Sequence, residues 1–135
     1  MRCTILMLLG VLLLSCGDQD QNASTDEKSS PENVITDGVI TAEEFKKGLT
    51  DLAEVQLIDV RTPEEFEEGH LSGARNLNYF DDNFDEQIVQ LDQNKPIYLY
   101  CKSGGRSGKT YKKLKDLGFF EVYDRKGGYS EWPDK

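Results

Sequence analysis

One segment sets the architecture of this chain: Pro96-Ile97-Tyr98-Leu99-Tyr100-Cys101-Lys102-Ser103-Gly104-Gly105-Arg106-Ser107. A short apolar run, typical of a buried strand, ends on a cysteine, and a loop that contains two glycines leads into a helix. In an open parallel sheet, ligands bind outside the carboxyl ends of the strands, which is where this pattern places the cysteine. The chemistry of the chain is therefore expected at the Cys101 thiol.

Strand and helix patterns alternate on both sides of that segment. Two capping boxes, Thr41 with Glu44 and Thr62 with Glu65, predict the starts of the first two helices. We expect strands at 39–40, 55–60, 75–78, 97–100 and 119–123, and helices at 41–49, 62–68, 84–91 and 107–117. This order predicts a three-layer α/β/α domain with a mainly parallel five-stranded sheet and helices on both faces.

The N-terminal residues predict export. Arg2 precedes an apolar run, Ile5 to Leu14, which is too short to cross a bilayer and suits a signal peptide at residues 1–15. Leu13-Leu14-Ser15-Cys16 resembles the lipobox of bacterial lipoproteins. That resemblance implies that Cys16 is lipidated, with residues 16–36 as a disordered tether and 37–135 as the domain. The chain would then be anchored to a bacterial membrane, on the periplasmic side or cell surface. The alternative is a plain signal peptide with an incidental cysteine.

The net charge and the cysteine content limit the kinds of partner that the chain is expected to bind. The formal net charge of −9 argues against nucleic acid. If Cys3 is removed with the signal and Cys16 carries lipid, Cys101 is the one free thiol. Seven basic residues and no acidic ones lie between positions 95 and 115: Lys95, Lys102, Arg106, Lys109, Lys112, Lys113 and Lys115. They form either an ordinary solvated helix face or a local positive potential that gathers small anions.

The residues after Cys101 can stabilise a thiolate, the reactive form of cysteine. Gly104 and Gly105 let several backbone N–H groups turn inward, and a helix begins close behind them. Lys102 and Arg106 add positive charge, so a general base is unnecessary. The single histidine, His70, lies in a turn between a helix and a strand, and we favour a structural role for it over a Cys–His pair.

Across residues 37–133 the chain resembles single-domain rhodanese-like sulfurtransferases. Four segments carry the resemblance: 58–66 with 69–76, the loop 100–107, 117–119 and 127–132. The resemblance implies that Cys101 attacks the outer sulfur of a thiosulfate-like anion, releases sulfite and becomes a persulfide. An external thiol or cyanide would then accept the sulfur, with no cofactor or metal. The implied substrate-binding residues are Lys102, Ser103, Gly104, Gly105, Arg106 and Ser107.

Rival functions are a non-catalytic rhodanese-like module, which binds a partner or senses sulfur species, and a phosphatase or arsenate reductase. The phosphatase signature has five residues between cysteine and arginine, whereas four separate Cys101 from Arg106 here, which favours sulfur transfer. Thr110 and Arg125-Lys126 depart from the family pattern and leave the substrate open. The remaining charged candidates are expected to form a structural network at a strand end rather than to act in catalysis: Asp59, Arg61 and Glu65.

Overall fold

The computed structural model describes residues 37–135, in which strands and helices alternate along the chain. The strands are β1 (Gly38–Ile40), β2 (Gln56–Asp59), β3 (Arg75–Asn76), β4 (Ile97–Tyr100) and β5 (Val122–Arg125). The helices are α1 (Ala42–Asp51), α2 (Pro63–Glu67), α3 (Phe84–Ile88) and α4 (Gly105–Asp116), and a short 3-10 helix follows at Tyr129–Glu131.

The five strands form one sheet in the order β1-β5-β4-β2-β3, and every pair of neighbours is parallel. The predicted five-stranded α/β fold is thus confirmed. β4 occupies the centre, all four of its residues are buried, and its carboxyl end leads directly to Cys101. Both edge strands are short, with three residues in β1 and two in β3.

The two faces of the sheet have separate apolar cores. On one face, residues of α3 and α4 such as Ile88 and Leu114 pack over Leu99 and Val122. On the other face, Phe45 of α1 packs with the buried aromatic residues of the central strands, and Trp132 contacts the same cluster. Cys101 belongs to the first core, so its side chain points to the face that α4 covers.

Local sequence signals explain where the first two helices begin. The Thr41 hydroxyl accepts from the Glu44 N–H, and the Glu44 carboxylate accepts from the Thr41 N–H. The same reciprocal pair joins Thr62 and Glu65 at α2, which has Pro63 in its first turn. These contacts satisfy N–H groups that have no partner within a helix.

Several predicted boundaries were wrong: β3 ends at Asn76 and not at 78, and α3 ends at Ile88 and not at 91. Two further differences bear on the site. The last strand does not cover 119–123, because the Phe119 N–H closes the C-terminus of α4 by donating to the Leu114 carbonyl (3.0 Å), and pairing starts at Val122. Phe119 still packs in the core, so its apolar character reflects burial and not strand pairing. α4 begins at Gly105, two residues before the predicted Ser107, and this change places Arg106 inside the helix.

The lipidation site Cys16, the signal peptide and the tether lie outside the described residues, and they stay predictions. Among residues 37–135, the structure contains no helix of the length and apolar content that a bilayer crossing requires.

Candidate active site

The Cys101 thiol lies at the carboxyl end of the central strand, and 1% of the residue is exposed. The Sγ atom accepts hydrogen bonds from the Gly104 backbone N–H (3.0 Å) and from the Ser107 hydroxyl (3.4 Å). Gly104 precedes α4 with a φ of 103°, a backbone region that favours glycine, and this conformation turns its N–H toward the sulfur. The loop that the sequence predicted as an anion cradle thus surrounds the thiol.

These donors govern the thiol's protonation. Burial raises the pKa of Cys101, but hydrogen bonds from the Ser107 side chain and from the N–H groups of Ser107, Gly104 and Ser103 outweigh burial, so that the pKa is lowered. The positive end of α4 acts in the same direction. The sulfur therefore carries negative charge more readily than an ordinary cysteine does, and it does so without a neighbouring base.

The segment after β5 supports this loop from behind. Tyr129 donates its N–H to the Cys101 carbonyl (2.7 Å), and Ser130 donates to the Lys102 carbonyl (2.9 Å). Gly128 has a φ of 59°, and a Cβ added there would lie 2.5 Å from the Cys101 carbonyl oxygen. The family resemblance included this glycine, but its contact with the loop was not foreseen because it joins two segments distant in sequence.

Arg106 forms a bidentate ion pair with Glu65, with N–O distances of 2.7 and 3.0 Å. The hydrogen bond from Arg106 holds the pKa of Glu65 down, at about 2. The guanidinium also lies 5.6 Å from the ring centroid of Phe80, which is 66% exposed. Glu65 therefore belongs to the loop's surroundings, and it offsets part of the positive charge that the sequence assigned to Arg106.

Lys102 and Ser103 are exposed at the outer side of the loop. Lys102 lines a cleft of about 260 Å³ together with Arg61, Glu65 and Ser130. The basic run around the thiol is partly neutralised, because four of its members form salt bridges: Lys95 with Glu54, Arg106 with Glu65, Lys113 with Asp85, and Lys115 with Asp37. The solvated-face interpretation thus accounts for part of this run, and Lys102 is the exposed cation next to Cys101.

Asp59 and Arg61 form two parts of the structural network that the sequence favoured, whereas its third expected member, Glu65, pairs with Arg106 instead. Arg61 is 4% exposed, and its guanidinium donates to both Asp59 carboxylate oxygens (2.7–3.0 Å) and to the Gly69 carbonyl (2.6 Å). It also lies 4.2 Å from the ring centroid of Tyr129. Arg61 thereby connects the end of β2 to the turn after α2 and to the segment that supports the Cys101 loop.

His70 is placed away from that loop. Its ring stacks on Phe66 with 3.7 Å between centroids, and its Nδ1 atom hydrogen-bonds to the Phe66 carbonyl (2.8 Å). It lines a cleft with Leu71 and Trp132 rather than the cleft beside Lys102. These contacts support the structural role. Within the described part of the chain, no cluster of three or more potential ligands could hold a metal ion.

Sequence reasoning missed a buried carboxyl group on β5. Asp124 is 3% exposed, and its Oδ1 atom has no hydrogen-bond partner. Thr110, which departs from the family pattern, is buried and donates its hydroxyl to the Arg106 carbonyl within α4 (2.9 Å). If the last strand had been predicted at 122–125, the alternation of side chains along it would have placed the Asp124 carboxyl group on a buried face.

Comparison with known proteins agrees with this geometry. The profile of the rhodanese-like domain matches residues 41–135. The chain is 41% identical over 96 residues to the uncharacterized protein YqhL of Bacillus subtilis, covering 71% of this chain and 72% of that protein. It is 36% identical over 84 residues to the thiosulfate sulfurtransferase GlpE of Shewanella oneidensis, covering 62% and 81%.

Among solved structures, the crystal structure of a rhodanese-like domain protein from Staphylococcus aureus matches with a TM-score of 0.63 and 30% identity. The match covers 72% of this chain and 92% of that one. The matched profile spans the central strand, the Cys101 loop and α4. The chain belongs to the rhodanese-like domain family.

Proposed function

We propose that this chain is a sulfurtransferase that moves a sulfane sulfur from a thiosulfate-like anion to an external thiol or cyanide through a persulfide on Cys101. The observation that carries the proposal is the set of N–H and O–H donors directed at the Cys101 sulfur. Such donors stabilise negative charge on a buried sulfur, and both the thiolate and the persulfide anion carry that charge.

The reaction divides into two displacements at sulfur. The Cys101 thiolate attacks the outer sulfur of the donor; a new S–S bond forms, the donor's S–S bond breaks, and sulfite leaves with the bonding pair. An acceptor thiolate or cyanide then attacks the outer sulfur of the persulfide, and Cys101 leaves as a thiolate. A lowered pKa suits both steps, because the same sulfur acts first as nucleophile and then as leaving group.

We assign the anionic end of the donor to the outer side of the loop. Lys102 is exposed beside the cleft of about 260 Å³, whereas Arg106 already pairs with Glu65. Lys102→Ala is therefore expected to raise KM for thiosulfate about tenfold with a smaller change in kcat. Lys112→Ala, at an exposed position later in α4, is the matched control. Equal effects of the two substitutions would refute the assignment of Lys102.

The name of the Shewanella oneidensis relative supports a thiosulfate donor. The direct test is to treat the purified protein with thiosulfate and to look by intact mass for one added sulfur atom, while sulfite release is measured. Cys101→Ser is the control. We expect the adduct, sulfite release and thiosulfate:cyanide turnover in the parent and none of them in the variant. Absence of both adduct and sulfite in the parent would refute thiosulfate chemistry.

A second candidate is a non-catalytic module that binds or senses sulfur species. Two observations favour it: Cys101 is 1% exposed, and the Arg106 guanidinium is held by Glu65. A persulfide that forms on Cys101 but is not passed to cyanide or a thiol would identify this function. Hydrolysis of an aryl phosphate would instead support the phosphatase alternative, against which the four-residue spacing argues.

We also propose that Cys16 is lipidated and anchors the chain to a bacterial membrane. The support is the sequence Leu13-Leu14-Ser15-Cys16 at the end of an apolar run. The test is expression of the full chain in bacteria that process lipoproteins, followed by membrane fractionation and mass analysis of the N-terminus. Acylated Cys16 in the membrane fraction is expected. Cleavage elsewhere, or membrane association that survives Cys16→Ser, would refute the anchor.

A further inference from the structure

Arg125, which departs from the family pattern, is a buried cation at the end of β5 that the proposed reaction does not use. It is 4% exposed, and its Nε atom has no hydrogen-bond partner within residues 37–135. Arg61 and Arg106 pair with carboxylates, whereas Arg125 forms no salt bridge in that part of the chain. A buried charge without a partner of opposite charge is unfavourable, so its presence requires an explanation other than a gain in stability.

The side-chain contacts of Arg125 are made with the segment that follows β5. Its Nη2 atom donates to the Glu131 carbonyl (2.7 Å), and its guanidinium lies 5.6 Å from the ring centroid of Trp132. Tyr123, two residues earlier on β5, belongs to the core on the α1 face, so Arg125 points to that face as well. Glu131 is the last residue of the 3-10 helix, and a carbonyl at the end of a helix has no partner within it. Arg125 therefore fixes the C-terminal end of this short helix.

The opposite end of the same 3-10 helix holds the Cys101 loop. The helix spans only Tyr129–Glu131, and its first two N–H groups donate to the carbonyls of Cys101 (2.7 Å) and Lys102 (2.9 Å). Because the helix is so short, a contact that fixes one end also fixes the direction of the N–H groups at the other. The Cys101 carbonyl and sulfur belong to one residue, so a shift of that carbonyl also moves the sulfur relative to the Gly104 N–H (3.0 Å).

We propose that Arg125 is a positioning residue that aligns the Cys101 thiol with its hydrogen-bond donors by holding the 3-10 helix Tyr129–Glu131 against the loop. The guanidinium and the sulfur point to opposite faces of the sheet, so the effect passes through the Glu131 carbonyl and the two N–H groups at the start of the helix. Sulfur transfer, the proposed function, uses the same thiolate and should slow when this alignment is lost.

The energetics of burial separate this role from a purely structural one. Burial lowers the pKa of Arg125, and the carboxylates of Glu131 and Glu43 oppose that shift only in part. Replacement of buried charge by an apolar residue of similar volume is often neutral or stabilising. A positioning role therefore predicts that Arg125→Met leaves stability unchanged or raised but weakens the thiolate. A structural role predicts lower stability and an unchanged thiol.

The first measurement needs no sulfur donor. The rate of iodoacetamide alkylation at Cys101 is followed from pH 5 to pH 10 in the full chain, by mass spectrometry of the peptide that contains it. Arg125→Met should raise the apparent pKa of the thiol by about one unit, because the thiolate loses part of a charge-assisted hydrogen bond. Arg125→Lys keeps a donor for the Glu131 carbonyl and should restore most of the parent profile. Lys126→Met removes the same charge from the next, exposed position, and this matched control should leave the profile unchanged.

The second measurement separates positioning from a direct effect of the charge. Hydrogen exchange of the segment that contains the Tyr129 and Ser130 amides should be about tenfold faster in Arg125→Met than in Lys126→Met, since both amides lose part of their hydrogen bonds to the loop. A raised thiol pKa without faster exchange would overturn the proposal, because the charge alone would then explain the thiol. An unchanged thiol pKa in Arg125→Met would overturn it as well.

Urea unfolding of Arg125→Met completes the test, and the free energy of unfolding should equal or exceed that of the parent. If this variant does not fold while Arg125→Lys does, Arg125 serves the fold itself and the positioning role is wrong. If thiosulfate gives no persulfide but Arg125→Met raises the thiol pKa and speeds exchange, sulfur transfer fails and the positioning role stands. If a persulfide forms and the thiol pKa does not change, sulfur transfer stands and the positioning role fails.

Discussion

Replacing Gly128 with alanine should disrupt the Cys101 loop from a position outside it. The added Cβ would lie 2.5 Å from the Cys101 carbonyl oxygen and 2.6 Å from the carbonyl carbon and oxygen of Lys102. An ordinary contact starts at 3.4 Å, so one backbone segment must move by about 0.9 Å. The neighbours are backbone atoms, which cannot rotate away as a flexible side chain would.

The expected loss of stability has two parts, one from the backbone conformation and one from weakened hydrogen bonds. The φ of 59° and ψ of −159° at Gly128 cost a non-glycine residue about 2 kcal/mol. The displacement also weakens the hydrogen bonds from Tyr129 to Cys101 and from Ser130 to Lys102, each of which contributes about 1 kcal/mol. Gly128→Ala should therefore lower the free energy of unfolding by about 3–4 kcal/mol.

The assay is urea unfolding followed by the fluorescence of Trp132, the single tryptophan of the chain. Gly118→Ala is the matched control, because Gly118 has a φ of 88° but no atom within 4 Å of the added Cβ. It should cost about 1 kcal/mol, which measures the penalty of a positive φ in the absence of a steric clash. If Gly128→Ala costs no more than Gly118→Ala, the steric reasoning is wrong.

Three other substitutions test the electrostatics and the packing. Because the folded pKa of Glu65, about 2, lies below its ordinary 4.5, its contribution to stability is present above pH 4.5 and is lost toward pH 2. Glu65→Gln should thus lower the free energy of unfolding by about 2 kcal/mol at pH 7, a value that allows for the partial exposure of the pair. Urea unfolding measures this loss, and the loss should be smaller at pH 3. The sign is opposite for Asp124, whose folded pKa of about 6 exceeds the ordinary 3.8, so its ionisation destabilises the fold as pH rises from 4 through 6. At pH 8, Asp124→Asn should therefore unfold at a higher temperature than the parent, with a free energy of unfolding that is about 2 kcal/mol larger. This gain in stability should disappear below pH 4. An equal gain at pH 8 and below pH 4 would contradict the argument from burial. In α1, Gly48→Ala places a Cβ too close to the hydroxyl oxygen of the buried Tyr98. Urea unfolding should show a free energy of unfolding that is lower by about 2 kcal/mol. Unchanged stability would mean that the Tyr98 ring moves aside freely.

Local patterns predicted much of this fold. The two capping boxes are formed as expected, and the apolar run 97–100 is the central strand. The position of Cys101 at a strand end and the glycine conformation at 104 also follow from neighbouring residues, whose preferences act over a few positions along the chain.

Contacts between distant segments could not be predicted in the same way. The Arg106–Glu65 pair joins residues 41 positions apart, and the support from Gly128 depends on how β5 leads back beneath the loop. Asp124 was missed for a specific reason. Phe119 and Phe120 have the apolar, aromatic character of a strand, but Phe119 completes the end of α4, and the register therefore starts later.

The short edge strands have a consequence for behaviour at high concentration. A sheet edge exposes unpaired backbone N–H and C=O groups that can recruit a strand from another molecule, and long flat edges therefore favour aggregation. Here β1 offers three residues and β3 only two, while four-residue strands are enclosed between them. Within residues 37–135, the sheet thus keeps its three longest strands, including the wholly apolar and aromatic β4, away from the two borders where another chain could attach and extend it.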